Sequence, residues 1–138
     1  MTMTTRSTPK KQIENLVFEG GSVWGIAYAG VIQALQEKLK FEDIVNVAGS
    51  SAGSIAAFLI SIGLSAEEIT EVLLSTNIGS LKDKSNIVKT AWQLFTSYGV
   101  SSGDTFISWI EEILKSKNLS PDITFDEFKA HPKTKNLY

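Results

Sequence analysis

Cysteine is missing from all 138 residues, and histidine occurs once. The first absence excludes a disulfide framework and any thiolate metal site. A single histidine with scattered carboxylates fixes no coordination geometry, so no metal site is expected. Positive charge is thin as well: 13 Lys and Arg against 15 Asp and Glu leave a formal charge of -2. Its local concentrations, Lys10-Lys11 and the Lys129 to Lys135 segment, read as solvated tails, and no nucleic-acid partner is expected. No apolar run approaches the ~20 residues that span a bilayer. Residues 1–12 are rich in Thr, Ser and Lys and lack the apolar core of a secretory signal, which suggests a disordered polar tail. The matching expectation for location is the cytoplasm, or delivery without a classical signal peptide, with peripheral membrane contact.

What is present is 43% hydrophobic, enough for the core of one domain over residues 13–138. Leu16-Val17-Phe18 reads as a first strand that runs into a flexible loop at Glu19-Gly20-Gly21. From Gly25 the period changes: Tyr28, Ile32, Leu35 and Leu39 line one face of an amphipathic helix. Asp43 to Ala48 reads as a second, buried strand, and Ser54 to Ile62 as a helix. Strand, crossover helix and strand make a right-handed βαβ unit whose strands are parallel and open on the same edge. The remainder is helical. Ser65-Ala66-Glu67-Glu68 and Thr124-Phe125-Asp126-Glu127 are capping boxes. A helix from Ile87 to Tyr98 carries Val88, Ala91, Trp92, Phe95 and Tyr98 as a core face, or as an interfacial face beside Lys84 and Lys89. Another starts at Asp104 as cap and carries Phe106, Ile110, Ile113 and Leu114. Two short strands cannot form a sheet covered on both faces. Lys135 to Tyr138 reads as the approach to a further strand.

Two glycine-rich turns fall at the two strand ends. In Gly49-Ser50-Ser51-Ala52-Gly53 the serine stands between strand and helix. Five letters of this kind recur by chance in about one chain in ten or twenty, so the flanking strand and helix carry the argument. At such a turn the central residue is strained and bulky neighbours two positions away collide with it, which accounts for Gly49 and Gly53. Ser51 is then displayed over a helix N-terminus, where developing negative charge is favoured. Glu19 to Gly25 forms the other turn. It lacks the second glycine of a dinucleotide fingerprint, where Ser22 stands, and the Lys-Ser/Thr pair of a P-loop. Parallel strands bring the two turns to one sheet edge, so the N–H groups of Gly20, Gly21 and Ser22 are candidates to receive the oxyanion formed when Ser51 attacks an ester.

From Leu16 to about Phe128 the chain resembles the patatin-like lipid acyl hydrolases, which include bacterial phospholipases. Gly20-Gly21-Ser22-Val23-Trp24-Gly25 is similar to the family's Gly-Gly-Gly-x-Arg/Lys-Gly, and Gly49 to Gly53 to its nucleophile turn. The stretch Tyr98 to Leu114, with Gly103-Asp104 ahead of a helix, looks like its continuation. The resemblance implies a three-layer α/β/α fold, of which this chain holds the N-terminal βαβ unit and following helices. It implies hydrolysis of phospholipid or neutral-lipid acyl esters through an acyl-Ser51 intermediate, no cofactor, a lipid or membrane-surface substrate, and room for an activating protein. Two departures stand out. Ser22 replaces the third glycine, at ~1–2 kcal/mol of strain if that position needs positive φ. Trp24 replaces the basic residue, removing an anion contact.

A serine hydroxyl needs a group to take its proton. The resemblance implies an aspartate acting alone in an Asp-Gly-Gly or Asp-Gly-Ala motif. No Asp-Gly pair occurs in the sequence, and the aspartate is expected beyond residue 138. Asp43, Asp83, Asp104, Asp122 and Asp126 read as caps or surface charges. His131, with Asp122 or Asp126, satisfies the order of a Ser-His-Asp hydrolase, but only one strand precedes Ser51 and Pro132 puts His131 in a loop, so a solvent-exposed histidine is the expectation. The rival to an enzyme is a non-catalytic interaction module or an inactive remnant of the same fold.

Overall fold

The computed structural model describes residues 13–75 and 103–138; the tail and the helix expected from Ile87 to Tyr98 lie outside them. Three parallel strands, β1 (Asn15–Phe18), β2 (Asn46–Gly49) and β3 (Asn136–Leu137), form a sheet in the order β1-β2-β3. Leu16 faces Val47 and Phe18 faces Gly49 across the first pair. Because side chains alternate along a strand, Leu16, Phe18 and Val47 share one face and Asn15, Val17, Asn46 and Ala48 the other. The first face packs into the core, with Phe18 and Val47 buried. Val17 on the second is 79% exposed, so no described element covers it. Register is fixed on that open face by a row of amides: Asn46 Nδ2 donates to Asn15 Oδ1 at 2.6 Å and Asn136 Nδ2 to Asn46 Oδ1 at 2.8 Å. A slip of one strand by one residue would turn its asparagine to the opposite face and break the row.

The helices are α1 (Tyr28–Lys38), α2 (Ala52–Ser61), α3 (Ala66–Ser75), α4 (Asp104–Ser116) and α5 (Phe125–Ala130). α2 packs on the strands and is buried nearly all round, with Ala52, Gly53, Ala56, Ala57, Leu59, Ile60 and Ser61 inside. Small residues along it let helix and sheet approach closely. Its one buried polar side chain, Ser61, donates to the Phe58 carbonyl at 2.7 Å, which removes the penalty of burying a hydroxyl. α1 packs against α3, and the Gln36 side chain accepts from the Ala66 N–H at 2.8 Å. The core centres on Ile32, Ile44, Val47, Leu59, Ile60 and Ile69. Both expected capping boxes form, at Ser65 with Glu68 and at Thr124 with Glu127.

Several expectations are corrected. The second strand starts at Asn46, because Phe41–Asp43 closes a 3-10 turn in which the Asp43 and Ile44 N–H groups donate to Lys40 and Phe41. A third strand joins the βαβ unit. Its Asn136 N–H donates to Val45 and its Tyr138 N–H to Val47, so the segment read as a strand's approach is already in the sheet. α2 begins two residues before Ser54, whose hydroxyl donates to the Ser51 carbonyl. The cap of α4 is Gly103, at φ 78, and Asp104 sits in the first turn. The loop expected at Glu19-Gly20-Gly21 ends there, since Ser22–Ala27 is a 3-10 helix leading directly into α1.

A lysine bridges the two described stretches. Lys117 Nζ lies 2.7 Å from Glu68 Oε1, and this contact, ahead of the Ser65 N–H, holds the Glu68 carboxyl below its usual 4.5. A depressed carboxylate pKa contributes stability above the unfolded value that is lost as pH falls through the folded one. The pair is largely exposed, so its worth is under about 1 kcal/mol. Lys117→Met is expected to lower stability at pH 7 by that amount, with the gap to wild type closing as pH drops below 4.5 and as salt is raised, in urea titrations.

Candidate active site

β2 ends at Gly49, and the chain reverses into α2 within two residues. Ser50 N–H donates to the Phe18 carbonyl at 3.2 Å, still following the sheet. Ser51 then takes φ 50 and ψ -124, a combination that the Cβ of an L-residue disfavours. The Gly53 and Ser54 N–H groups close the turn on the Ser50 and Ser51 carbonyls at 2.9 Å each. Ser51 is exposed at the junction of strand and helix.

Glycine is required around it by contact and not by dihedral angle. A Cβ on Gly53 would enter the Phe18 and Glu19 carbonyls, and one on Gly49 would enter the Gly53 carbonyl. One on Gly25 would stand 2.7 Å from the Ala52 Cβ. A Cβ on Gly20 would lie 3.2 Å from the Ser51 Cβ and 3.4 Å from Ser50 Oγ, so the first glycine turn and the serine turn touch. None of these four has positive φ.

The loop from Glu19 to Gly21 is held at both ends. Tyr28 donates its hydroxyl to the Glu19 carbonyl at 2.7 Å, and Trp24 N–H donates to the Gly21 carbonyl at 2.9 Å. Ser22 begins the 3-10 helix with its negative φ, so the strain foreseen for a serine there does not arise. Among the described residues, the N–H groups of Gly20, Gly21 and Ala52 have no acceptor. Ala52 was missed in reading the sequence. Its signal is its place directly after Ser51, at the first helical position, where a backbone donor has no partner within the helix.

A family model described as patatin-like phospholipase matches residues 16–132. The chain belongs to the patatin-like phospholipase family. A protein of Invertebrate iridescent virus 6 named "Probable lipid hydrolase" is 31% identical over 127 residues, covering 88% of this chain and 40% of that one. An uncharacterized protein of Acanthamoeba polyphaga mimivirus is 32% identical over 131 residues, 91% of this chain and 43% of its own. Among solved structures, VipD from Legionella pneumophila superposes with a TM-score of 0.63 at 29% identity, over 78% of this chain and 17% of that one. The chain thus spans about two fifths of the length of the curated relatives it matches.

Within this patatin-like frame the two motifs form one contact surface, since Gly20 meets Ser51 and Gly25 meets Ala52. Trp24, where the family pattern has a basic residue, is 78% exposed on the 3-10 helix beside them. His131 is half-buried, not free in solvent, and caps α5. It lies with Ile62 and Gly63 at the far end of α2 from Ser51, about 15 Å away by the rise of ten helical residues. It therefore does not reach Ser51. Glu127 and Glu111 are engaged with Thr124 and Lys115, and no three His, Asp or Glu side chains converge among the described residues. No described helix is long and apolar enough to cross a membrane. Beginning one turn after Ser51, Ser54, Ile55 and Phe58 of α2 line an open cleft of about 310 Å³. Phe106, Trp109, Ile110 and Leu114 of α4 form its opposite wall, with Phe128 and Leu137 also lining it.

The close contacts separate the glycines by cost. Gly49→Ala and Gly53→Ala are expected to lose more than about 2 kcal/mol, because backbone must move. Gly30→Ala, exposed on α1 with nothing within 4 Å of its added methyl, is expected to gain about 0.5–1 kcal/mol. Ser51→Gly relieves the positive φ and is expected to gain up to about 1 kcal/mol where Ser51→Ala gains nothing. Thermal and urea unfolding of the variants check the order.

Proposed function

We propose that Ser51 is the nucleophile of a serine acyl hydrolase acting on lipid esters, phospholipid or neutral lipid. The observation that carries the reading is the apposition of Gly20 and Ser51 at one sheet edge, with amides at Gly20, Gly21 and Ala52 that have no acceptor among the described residues, near an exposed, strained serine. In this reading the Ser51 hydroxyl adds to the ester carbonyl and passes its proton to a base. The tetrahedral oxyanion takes hydrogen bonds from the Gly20, Gly21 and Ser22 loop and from Ala52. Each such donor contributes about 3 kcal/mol to lowering the barrier. The alcohol leaves with the proton, and water repeats the sequence on the acyl-serine.

The base is an aspartate working alone with Ser51, in an Asp-Gly-Gly or Asp-Gly-Ala turn outside this sequence. The described carboxylates are otherwise engaged or surface-placed, and His131 is at the wrong end of α2. No cofactor takes part. The acyl chain lies in the apolar cleft that starts one turn from Ser51, and the exposed Trp24 meets the lipid surface, as indoles do at headgroup depth. The same Trp24, in place of a basic residue, is what favours the second reading, a non-catalytic interaction module. A fluorophosphonate separates the two, because an activated Ser51 forms a covalent adduct and an idle one does not.

Hydrolysis of chromogenic esters of increasing chain length, by this chain and by the product of its full coding frame, tests the proposal. Activity is expected in the form that carries an Asp-Gly turn, and Ser51→Ala is expected to lower kcat by about 10³-fold or more; equal rates would refute the assignment. In the wild type kcat/KM is expected to rise about fourfold per methylene until the cleft is filled. Phe58→Trp is expected to end that rise at a shorter chain.

A further inference from the structure

The amide that Gly20 offers belongs to a peptide plane with little to stop it turning over. Rotating the Glu19–Gly20 peptide changes ψ of one residue and φ of the next in compensation, leaves the path of the chain nearly unaltered, and exchanges the positions of N–H and C=O. Gly20 accepts either sign of φ, so local sterics do not choose between the two orientations. In a trans peptide the two groups point in opposite directions, and fixing one fixes the other. One of them is fixed. The Glu19 carbonyl accepts the Tyr28 hydroxyl at 2.7 Å and lies against Gly53, where an added Cβ would stand 2.5 Å from it. The phenol is itself located by Phe18, which meets it edge-on with centroids 5.2 Å apart and planes at 85°. Gly20, at the other end of the same peptide, stands beside the Ser51 Cβ.

We infer that Tyr28 is a positioning residue: its hydroxyl locks the Glu19–Gly20 peptide in the orientation that presents the Gly20 N–H, and not the Glu19 carbonyl oxygen, to the oxyanion. The inference rests on the reading of Gly20 as an oxyanion donor. Tyr28 exchanges no proton with substrate; it acts through the backbone, by excluding a flipped state in which a carbonyl dipole repels the developing charge. The glycine that lets the loop close on Ser51, Gly20, also makes its peptide free to flip, and the tyrosine removes that freedom.

Tyr28→Phe keeps the ring and its contact with Phe18 and deletes only the hydroxyl. Two measurements on it decide the matter. By backbone NMR of the 138-residue chain, the Glu19 carbonyl carbon and Gly20 amide are expected to shift and to show millisecond exchange absent from wild type, with α1 unmoved; unchanged resonances would overturn the inference. In the form whose esterase activity depends on Ser51, kcat is expected to fall about three- to tenfold, the worth of one hydrogen bond. KM should stay within about twofold and the pH profile should not move, since no titrating group is lost. A wild-type kcat in the variant would equally overturn it. If hydrolysis proves independent of Ser51 the hydrolase reading fails, and the resonances of Glu19 and Gly20 still decide whether Tyr28 holds the peptide.

Discussion

Backbone meets backbone where the first turn of α2 enters between the ends of β1 and β2. Gly53 rests on the Phe18 and Glu19 carbonyls and Gly49 on the Gly53 carbonyl, with no side chain between. This contact sets the rest. A helix seated that closely on a parallel sheet leaves two residues in which to reverse direction, and the residue in the middle has to take a conformation that strands and helices do not offer. Ser51 takes it. Because the neighbouring positions are locked by main-chain atoms, the serine is carried on rigid elements and not on a loop, which is the condition for a preorganised site.

Strain at one residue persists only where the surroundings over-determine it. Here they are the buried face of α2, Ala56, Ala57, Leu59 and Ile60, packed on Val47 and Phe18. The same small residues that allow the helix to descend on the sheet bring Gly25 of the 3-10 helix onto Ala52. The first glycine turn is therefore placed by the second. Tyr28 connects this packing to the site, because its ring belongs to the core boundary while its hydroxyl reaches the loop.

Two open surfaces flank the junction, and they differ in kind. The cleft between α2 and α4 is concave, walled by aromatic and branched side chains, and begins beside the serine turn, as a site for an extended apolar group requires. The sheet face bearing Val17 is crossed by the asparagine row. Parallel sheets are ordinarily covered on both sides. The open face is left uncovered by every described element, whereas the cleft belongs to the chemistry proposed for Ser51.

Much of this was legible from residue order. Alternation and helical spacing placed β1, α1 and α2 to within a few residues, since a buried face leaves a periodic trace. The capping boxes at Ser65 and Thr124 were readable because their bonds are local. The meeting of the Gly20 turn with the Ser51 turn followed from the parallel βαβ topology, which constrains where turns fall. Residue order did not show that Ser22 is helical or that Asp43 closes a 3-10 turn, because so short a stretch of 3-10 helix leaves no periodic trace, nor that His131 sits at the remote end of α2, because that depends on contacts with segments distant in sequence. Nor did it single out Tyr28 or Ala52, whose side chains read as an ordinary helix face and a small spacer. The amino-acid sequence by itself determined that a serine would be displayed between glycines at a strand end, because that demand is local and steric. Only the tertiary structure decided that the Gly20 loop meets the serine and how that loop is held, because those depend on how closely α2 seats between the strand ends at Phe18 and Gly49.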